Sequence, residues 1–210
     1  MTPSNIKSQN QEESKIKRAF IACEESQAVC IEFRKLGIEA FSCDILPCSG
    51  GHPEWHIQDD VLNHLNDGWD IMIAFPPCTH LSVSGARWFT EGKKDIKLRN
   101  DALEFVKRLM DGNIRYIAIE NPVSVISSHI RKSDQTINPY QFGHKERKRT
   151  CLWLKNLPKL QETNNVYEET MKLPPKERDR IWYMGSNKGY ERSKTFPGIA
   201  KAMAEQWSKT

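Results

Sequence analysis

Four short apolar runs set the limits on what this chain can fold into: Ala19-Phe20-Ile21-Ala22-Cys23, Ile71-Met72-Ile73-Ala74, Ile114 to Ile119, and Cys151-Leu152-Trp153-Leu154. None alternates strictly between polar and apolar residues, so each suits a strand buried on both faces. Segments with helical spacing lie between them. Val29, Cys30, Phe33 and Leu36 share a face over 26–36, with Gly37 placed to stop that helix. Leu98, Ala102, Phe105, Val106 and Leu109 share one over 98–110, and Ile199, Met203 and Trp207 share one over 196–207. A further strand is expected over Ile38 to Asp44 and a short helix over 61–65, with an irregular loop between them. Strands alternating with helices imply an α/β fold with a doubly wound, mostly parallel sheet. In such a sheet ligands sit beyond the carboxyl ends of the strands.

The residues beside those runs are the ones that carry chemistry. Phe75-Pro76-Pro77-Cys78 follows one run, Glu120-Asn121-Pro122 follows another, and Lys145-Glu146-Arg147-Lys148-Arg149 precedes the last. In a doubly wound sheet the first two clusters leave on the same edge, so a thiol and a carboxylate face one pocket. The two prolines restrict the backbone before Cys78 and hold the thiol rigidly. Such a pair suits attack on an electron-poor heteroaromatic ring. A thiolate adds to carbon 6 of a pyrimidine, while an acid contacts N3 and offsets the charge that develops there. The thiolate needs electropositive surroundings, which Arg147 and Arg149 are placed to supply. Taken singly, each residue has a plainer reading. Cys78 would be a buried structural thiol, Glu120 a strand-end cap or ion-pair partner, and Asp44 a turn cap. The basic run would be a solvated face or a phosphate contact.

In this order the clusters resemble the motifs of the cytosine carbon-5 DNA methyltransferases. Asp70 to Cys78, with Ser82 and Gly85 following, looks like the family's Pro-Cys motif, and Glu120-Asn121-Pro122 is similar to its Glu-Asn-Val motif. Arg147 and Arg149 resemble its Gln-x-Arg-x-Arg motif, with Lys145 where Gln stands in the family. The resemblance spans about Lys17 to Thr150. It implies a Rossmann-like fold dependent on S-adenosylmethionine (SAM), and DNA as partner, with the target cytosine flipped out of the stack. It also implies Cys78, Glu120, Arg147 and Arg149 as catalytic residues. Cofactor residues carried over from it are Cys23, Glu24, Ser26 and Gln27 in the first loop, Asp44 and Ile45 at the ribose, Asp60 and Val61 near the adenine, and Phe75 and Pro76 at the methionine part. On the substrate side it implies Pro77, Ser82, Arg87, Trp88, Asn121 and Lys145, with the loop Thr79 to Gly92 placed to close over the base.

Three departures accompany the resemblance. The first loop, Cys23-Glu24-Glu25-Ser26-Gln27-Ala28, lacks the family's glycines. The terminal Asn-containing motif is replaced by Arg192 to Gly198. Only 151–191 stands where full-length members insert a large target-recognition region. The chain therefore resembles the small phage-type members, and target recognition is expected to be short or supplied by a partner chain or self-association. Two alternatives stay open: methylation of a free pyrimidine nucleotide, and a relative that binds SAM and DNA without turnover.

Composition decides less. Thirty-one Lys and Arg against 27 Asp and Glu give a net charge of +4, too small an excess to imply nucleic acid, so the placement of charge matters more. No stretch has the length of a membrane span and no segment reads as a signal peptide. The six scattered cysteines are expected to be reduced, in a cytoplasmic setting. Residues 1–16 are expected to form a disordered polar leader, 17–155 the catalytic domain, 156–191 a short loop-rich insert, and 192–210 a helix completing the domain. Cys43, Cys48, His52 and His56 are zinc-compatible ligand types. Their spacing is more compact than structural sites use, and Asp44 among them belongs to the cofactor reading, so no metal is expected.

Overall fold

The apolar runs become the middle of one seven-stranded sheet. In the computed structural model, which describes residues 16–83, 89, 91–93, 95–185 and 188–210, the strands are β1 (Arg18–Ala22), β2 (Glu39–Asp44), β3 (His56–Gln58), β4 (Ile71–Ala74), β5 (Tyr116–Pro122), β6 (Gln135–Ile137) and β7 (Thr150–Lys155). Their order is β3-β2-β1-β4-β5-β7-β6. The first five pair in parallel, and β7 inserts antiparallel between β5 and β6. Every residue of β4 is fully buried, which is why its sequence shows no polar alternation. β3 and β6 have three residues each and occupy the edges, where short strands leave few unpaired backbone groups. Neither carries an apolar run that would mark it in the sequence.

The helices are α1 (Ala28–Lys35), α2 (Ile96–Met110), α3 (Ile126–His129), α4 (Tyr167–Lys172), α5 (Pro175–Arg178), α6 (Arg180–Tyr183), α7 (Gly189–Ser193) and α8 (Pro197–Trp207). On one face of the sheet, Val29 and Phe33 of α1 pack with Ile199, Met203 and Trp207 of α8 over Ile21, Ile71 and Ile73. On the other, Leu103, Val106 and Leu109 of α2 pack against Met72, Ile117 and Trp153. Burying side chains of this size contributes about 1.5–3 kcal/mol each. Gly37, at φ 77, follows the end of α1 as expected. α2 starts at Asp95, whose carboxylate accepts from Lys97 N at 2.9 Å. Leu98 lies outside the packed face expected of it: it is exposed, and the face begins at Ala102.

The chain winds from β1 out to β3, then crosses back to build β4 and β5 on the opposite side of β1. This is a Rossmann-like, doubly wound arrangement with its switch point between β1 and β4. Between β7 and α8 the described residues form only the short helices α4 to α7. Ile16, expected in the leader, is buried in the first core. The rest of that leader, and Gly85, Arg87 and Trp88, lie outside the described residues. No helix among the described residues is long and apolar enough to cross a membrane.

Candidate active site

Parallel register fixes which residues leave the sheet together. Ala22 pairs with Cys43 and with Ala74, and Ala74 pairs with Ile119. Cys23, Asp44, Phe75 and Glu120 therefore each come one residue later along the same carboxyl edge. Open α/β sheets place ligands at this edge beside the switch point.

On one side of the edge stands the thiol. Phe75 N donates to Ala22 O at 2.9 Å, keeping the chain in line up to Pro76 and Pro77. The Cys78 carbonyl then accepts from Leu81 N at 3.1 Å and Ser82 N at 2.9 Å, so Cys78 opens a tight turn. That turn is clasped to the chain beyond β5. Ser82 bridges Ser124, Val83 N donates to Val123 O at 3.2 Å, and Val125 N donates to Leu81 O at 2.9 Å. Asn121 is buried, and its Nδ2 donates to Pro76 O at 2.8 Å. Asn121 thus fixes the backbone that presents the thiol. Pro76 is buried and Pro77 exposed.

Glu120 lies opposite Leu152 in the β5–β7 pairing. Burial pushes its carboxyl above the usual carboxylate range, while the Lys148 ammonium and a hydrogen bond from the Thr150 hydroxyl pull it back. Burial also pushes the Cys78 thiol up. The negative charge of Glu120 adds to this, while Lys148 and Arg192 oppose it. Both groups are therefore shifted toward their protonated forms. Glu120→Gln removes a charge that pushes the thiol up, so it is expected to lower the pH midpoint of Cys78 alkylation by about one unit. Iodoacetamide labelling read on the Cys78 peptide by mass spectrometry checks this, and an unchanged or higher midpoint contradicts it.

Exposure alternates along the basic run ahead of β7, with Lys145, Arg147 and Arg149 exposed and Glu146 and Lys148 half-buried. The β5–β7 pairing begins at Thr150. Lys148 Nζ donates to Arg192 O at 3.0 Å. Arg147 forms a fork with Asp179, Nε to Oδ1 at 2.6 Å and Nη2 to Oδ2 at 2.7 Å. The cations acting on the thiol are thus Lys148 and Arg192, where the motif spacing put Arg147 and Arg149. The two-residue period holds, but its phase is shifted by one, and such a slip turns every side chain to the other face. Lys145, expected on the substrate side, pairs with Glu169, and Glu146 accepts from Arg180 Nη2 at 2.7 Å. Much of the run thereby docks the segment containing α4 to α7 onto the domain.

On the other side of the switch point, Cys23 (φ 59) and Gln27 (φ 58) occupy the left-handed backbone region that favours glycine. The first loop makes its tight turn without a glycine, and the facing loop supplies the close approach. A Cβ on Gly50 would lie 2.5 Å from Gln27 Cβ and 2.6 Å from Ser26 O. The Gln27 amide bonds His52 in both directions, Nε2 donating to O at 2.8 Å and Oε1 accepting from N at 3.0 Å. Glu24 is buried at the start of α1, where its carboxylate accepts from Val29 N at 2.8 Å and Cys30 N at 3.2 Å. Burial nevertheless pushes its pKa to about 8. The side chains of Glu24 and Gln27, expected at the cofactor, are thus committed to holding the loop.

Cys23, Asp44 and Asp60 remain at the crevice. Burial pushes the Cys23 thiol far up, and the charges of Asp44, Cys43 and Asp60 push it further, which places both carboxylates near it. Asp44 accepts from Leu46 N at 3.0 Å, and Asp60 caps the turn Val61–Asn63 by accepting from Leu62 N at 2.9 Å. Val61 is buried, Ile45 is 72% exposed, and Phe75 packs partly against the first core. Tyr190 of α7 donates to Ser49 Oγ at 2.8 Å, and Ser49 donates to Glu25. α7 thus reaches from the Lys148 side to this loop.

Among the described residues, no three His, Cys, Asp or Glu side chains gather as a metal site. Cys43 Sγ donates to Asp59 O, and both ring nitrogens of His56 are bonded, to Ser42 Oγ and Leu46 O at 2.9 Å each. His52 stacks on Trp55 with centroids 3.9 Å apart.

No protein-family model matches the chain. No curated protein matches it. Among solved structures it is similar to one described as a DNA modification methyltransferase encoded within an E. coli prophage, with 14% sequence identity and a TM-score of 0.43. The match covers 75% of this chain and 55% of that one, so the chain spans little more than half of its length.

Proposed function

We propose that the protein methylates carbon 5 of cytosine in DNA through a bond between Cys78 Sγ and carbon 6 of the base. The observation that supports this most is the emergence of Cys78 and Glu120 beyond adjacent parallel strands on one sheet edge. Cys78 gives up its proton to solvent water and its Sγ adds to carbon 6. Glu120, whose carboxyl burial shifts toward its protonated form, donates to N3 and stabilises the electron pair pushed into the ring. Carbon 5 then bonds the incoming methyl group and loses its proton to a base such as water. The carbon 6–sulfur bond breaks and releases Cys78. The target base is flipped out, because carbons 5 and 6 are inaccessible within the stack. Pro77 and Ser82, flanking the thiol, line the pocket that receives it.

The methyl donor that fits the other half of the crevice is SAM, which supplies an electrophilic methyl group when bound. Asp44 presents a carboxylate at the end of β2, the acceptor type that ribose hydroxyls require. Asp60, Val61 and Ile45 border the adenine end, and Phe75, Pro76, Cys23 and Ser26 border the methionine end.

Incubation with methyl-labelled SAM and either cytosine-containing duplex DNA or deoxycytidine monophosphate tests this reading. Label at carbon 5 in DNA is the expected result. Label in the nucleotide alone assigns the free-nucleotide reaction instead, and label in neither contradicts the proposal.

A further inference from the structure

Lysine is rarely drawn out of solvent without a carboxylate partner. Three exposed cations nearby have carboxylate partners: Lys145 pairs with Glu169, Arg147 with Asp179 and Arg180 with Glu146. Lys148 is half-buried, and its Nζ bonds a neutral carbonyl, that of Arg192. It stands two residues before Thr150, where the β5–β7 pairing begins, and its half-buried side chain alternates with the exposed Arg147 and Arg149. Three elements therefore converge. Cys78 comes from the turn after β4, Glu120 from β5, and Lys148 from the chain entering β7. An ammonium carries three donors, and the Arg192 carbonyl takes one. The charged groups acting on the thiol are Glu120, Lys148 and Arg192, and Lys148 acts on Glu120 as well.

We propose that Lys148, tethered by the Arg192 carbonyl, is the positioning cation of the Cys78–Glu120 pair, holding a positive charge where both acidic groups meet it. The role belongs to Lys148 and to neither flanking arginine. As a part of catalysis it rests on the reading of Cys78 as nucleophile. Its test requires neither DNA nor a methyl donor, so the two can fail separately.

The test is iodoacetamide alkylation of the full chain across pH, read on the Cys78 peptide. Lys148→Gln keeps a donor for the Arg192 carbonyl but removes the charge. The midpoint is expected to rise by about one pH unit or more, with the rate near neutral pH falling roughly tenfold. Lys148→Arg, which restores a cation, is expected to bring the midpoint back toward that of the wild type. Arg149→Gln is expected to leave it in place. A midpoint unmoved by Lys148→Gln, or moved as far by Arg149→Gln, overturns the proposal. If Lys148→Gln proves unfolded by circular dichroism, Lys148→Met takes its place: a midpoint raised in it and restored in Lys148→Arg supports the cation, and an unmoved midpoint overturns it. A shifted midpoint in a protein that methylates no DNA keeps the role of Lys148 and removes the reaction.

Discussion

Cys78→Ala is expected to lower methyl transfer to DNA by on the order of 10³-fold or more, while leaving the fold and DNA affinity in place. The separation follows from how the turn is built. Its hydrogen bonds run from Leu81 N and Ser82 N to the Cys78 carbonyl, so removing the side chain leaves them intact. The backbone before it is held by Asn121 through Pro76 O, again without the thiol. What disappears is the atom that bonds carbon 6. A 10³-fold loss corresponds to about 4 kcal/mol on the barrier. Single-turnover transfer of labelled methyl, with mobility-shift titration for affinity, separates the two effects. Activity within tenfold of wild type contradicts the nucleophile assignment. Parallel loss of activity, affinity and helical signal would instead mark Cys78 as a packing residue.

Gly198→Ala is expected to cost about 3 kcal/mol of stability and to lower Tm by roughly 10 °C. Gly198 stands at the start of α8, where a Cβ would lie 2.0 Å from Phe142 O and 2.9 Å from His144 Nε2. The first neighbour is backbone, so no change of rotamer relieves the clash. Gly198 N also donates to His144 Nε2 at 2.9 Å, tying α8 to the segment that continues to Lys148. Displacing α8 loosens Ile199, Met203 and Trp207 from the first core, and that segment moves with it. Differential scanning calorimetry checks the loss, and a Tm within about 2 °C of wild type contradicts the packing described.

The parts of this fold legible in the sequence are those with uniform local chemistry. β1, β4 and β5 are buried on both sides, so their apolar runs announced them. The prolines and polar residues that stop them marked the carboxyl edge, and Cys78 and Glu120 could be placed together there. The edge strands β3 and β6 have three residues each and follow from their neighbours' register, which no local pattern records. The position of the cations was hidden for a related reason. Cys151 and Trp153 are buried in one core and Leu152 in the other, so β7 has no polar face to reveal its phase. The pairing with β5 sets the phase at Thr150, and Lys148, half-buried between exposed Arg147 and Arg149, is the cation that acts on Glu120. The first loop teaches the same lesson. Its close packing depends on Gly50, contributed by a different loop and so invisible in the local sequence of the first loop.

The central claim is that Cys78 bonds carbon 6 of cytosine in DNA, and 5-fluorocytosine tests it most directly. Fluorine at carbon 5 cannot leave as a proton does, so the final elimination is blocked and the protein–DNA bond persists. Incubation of the protein with SAM and a duplex oligonucleotide containing 5-fluorocytosine is expected to yield a complex stable to denaturing electrophoresis. That complex should require SAM, map to the Cys78 peptide by mass spectrometry, and be absent in Cys78→Ala. A protein that binds such duplexes yet forms no stable complex, or attaches through any other residue, contradicts the account.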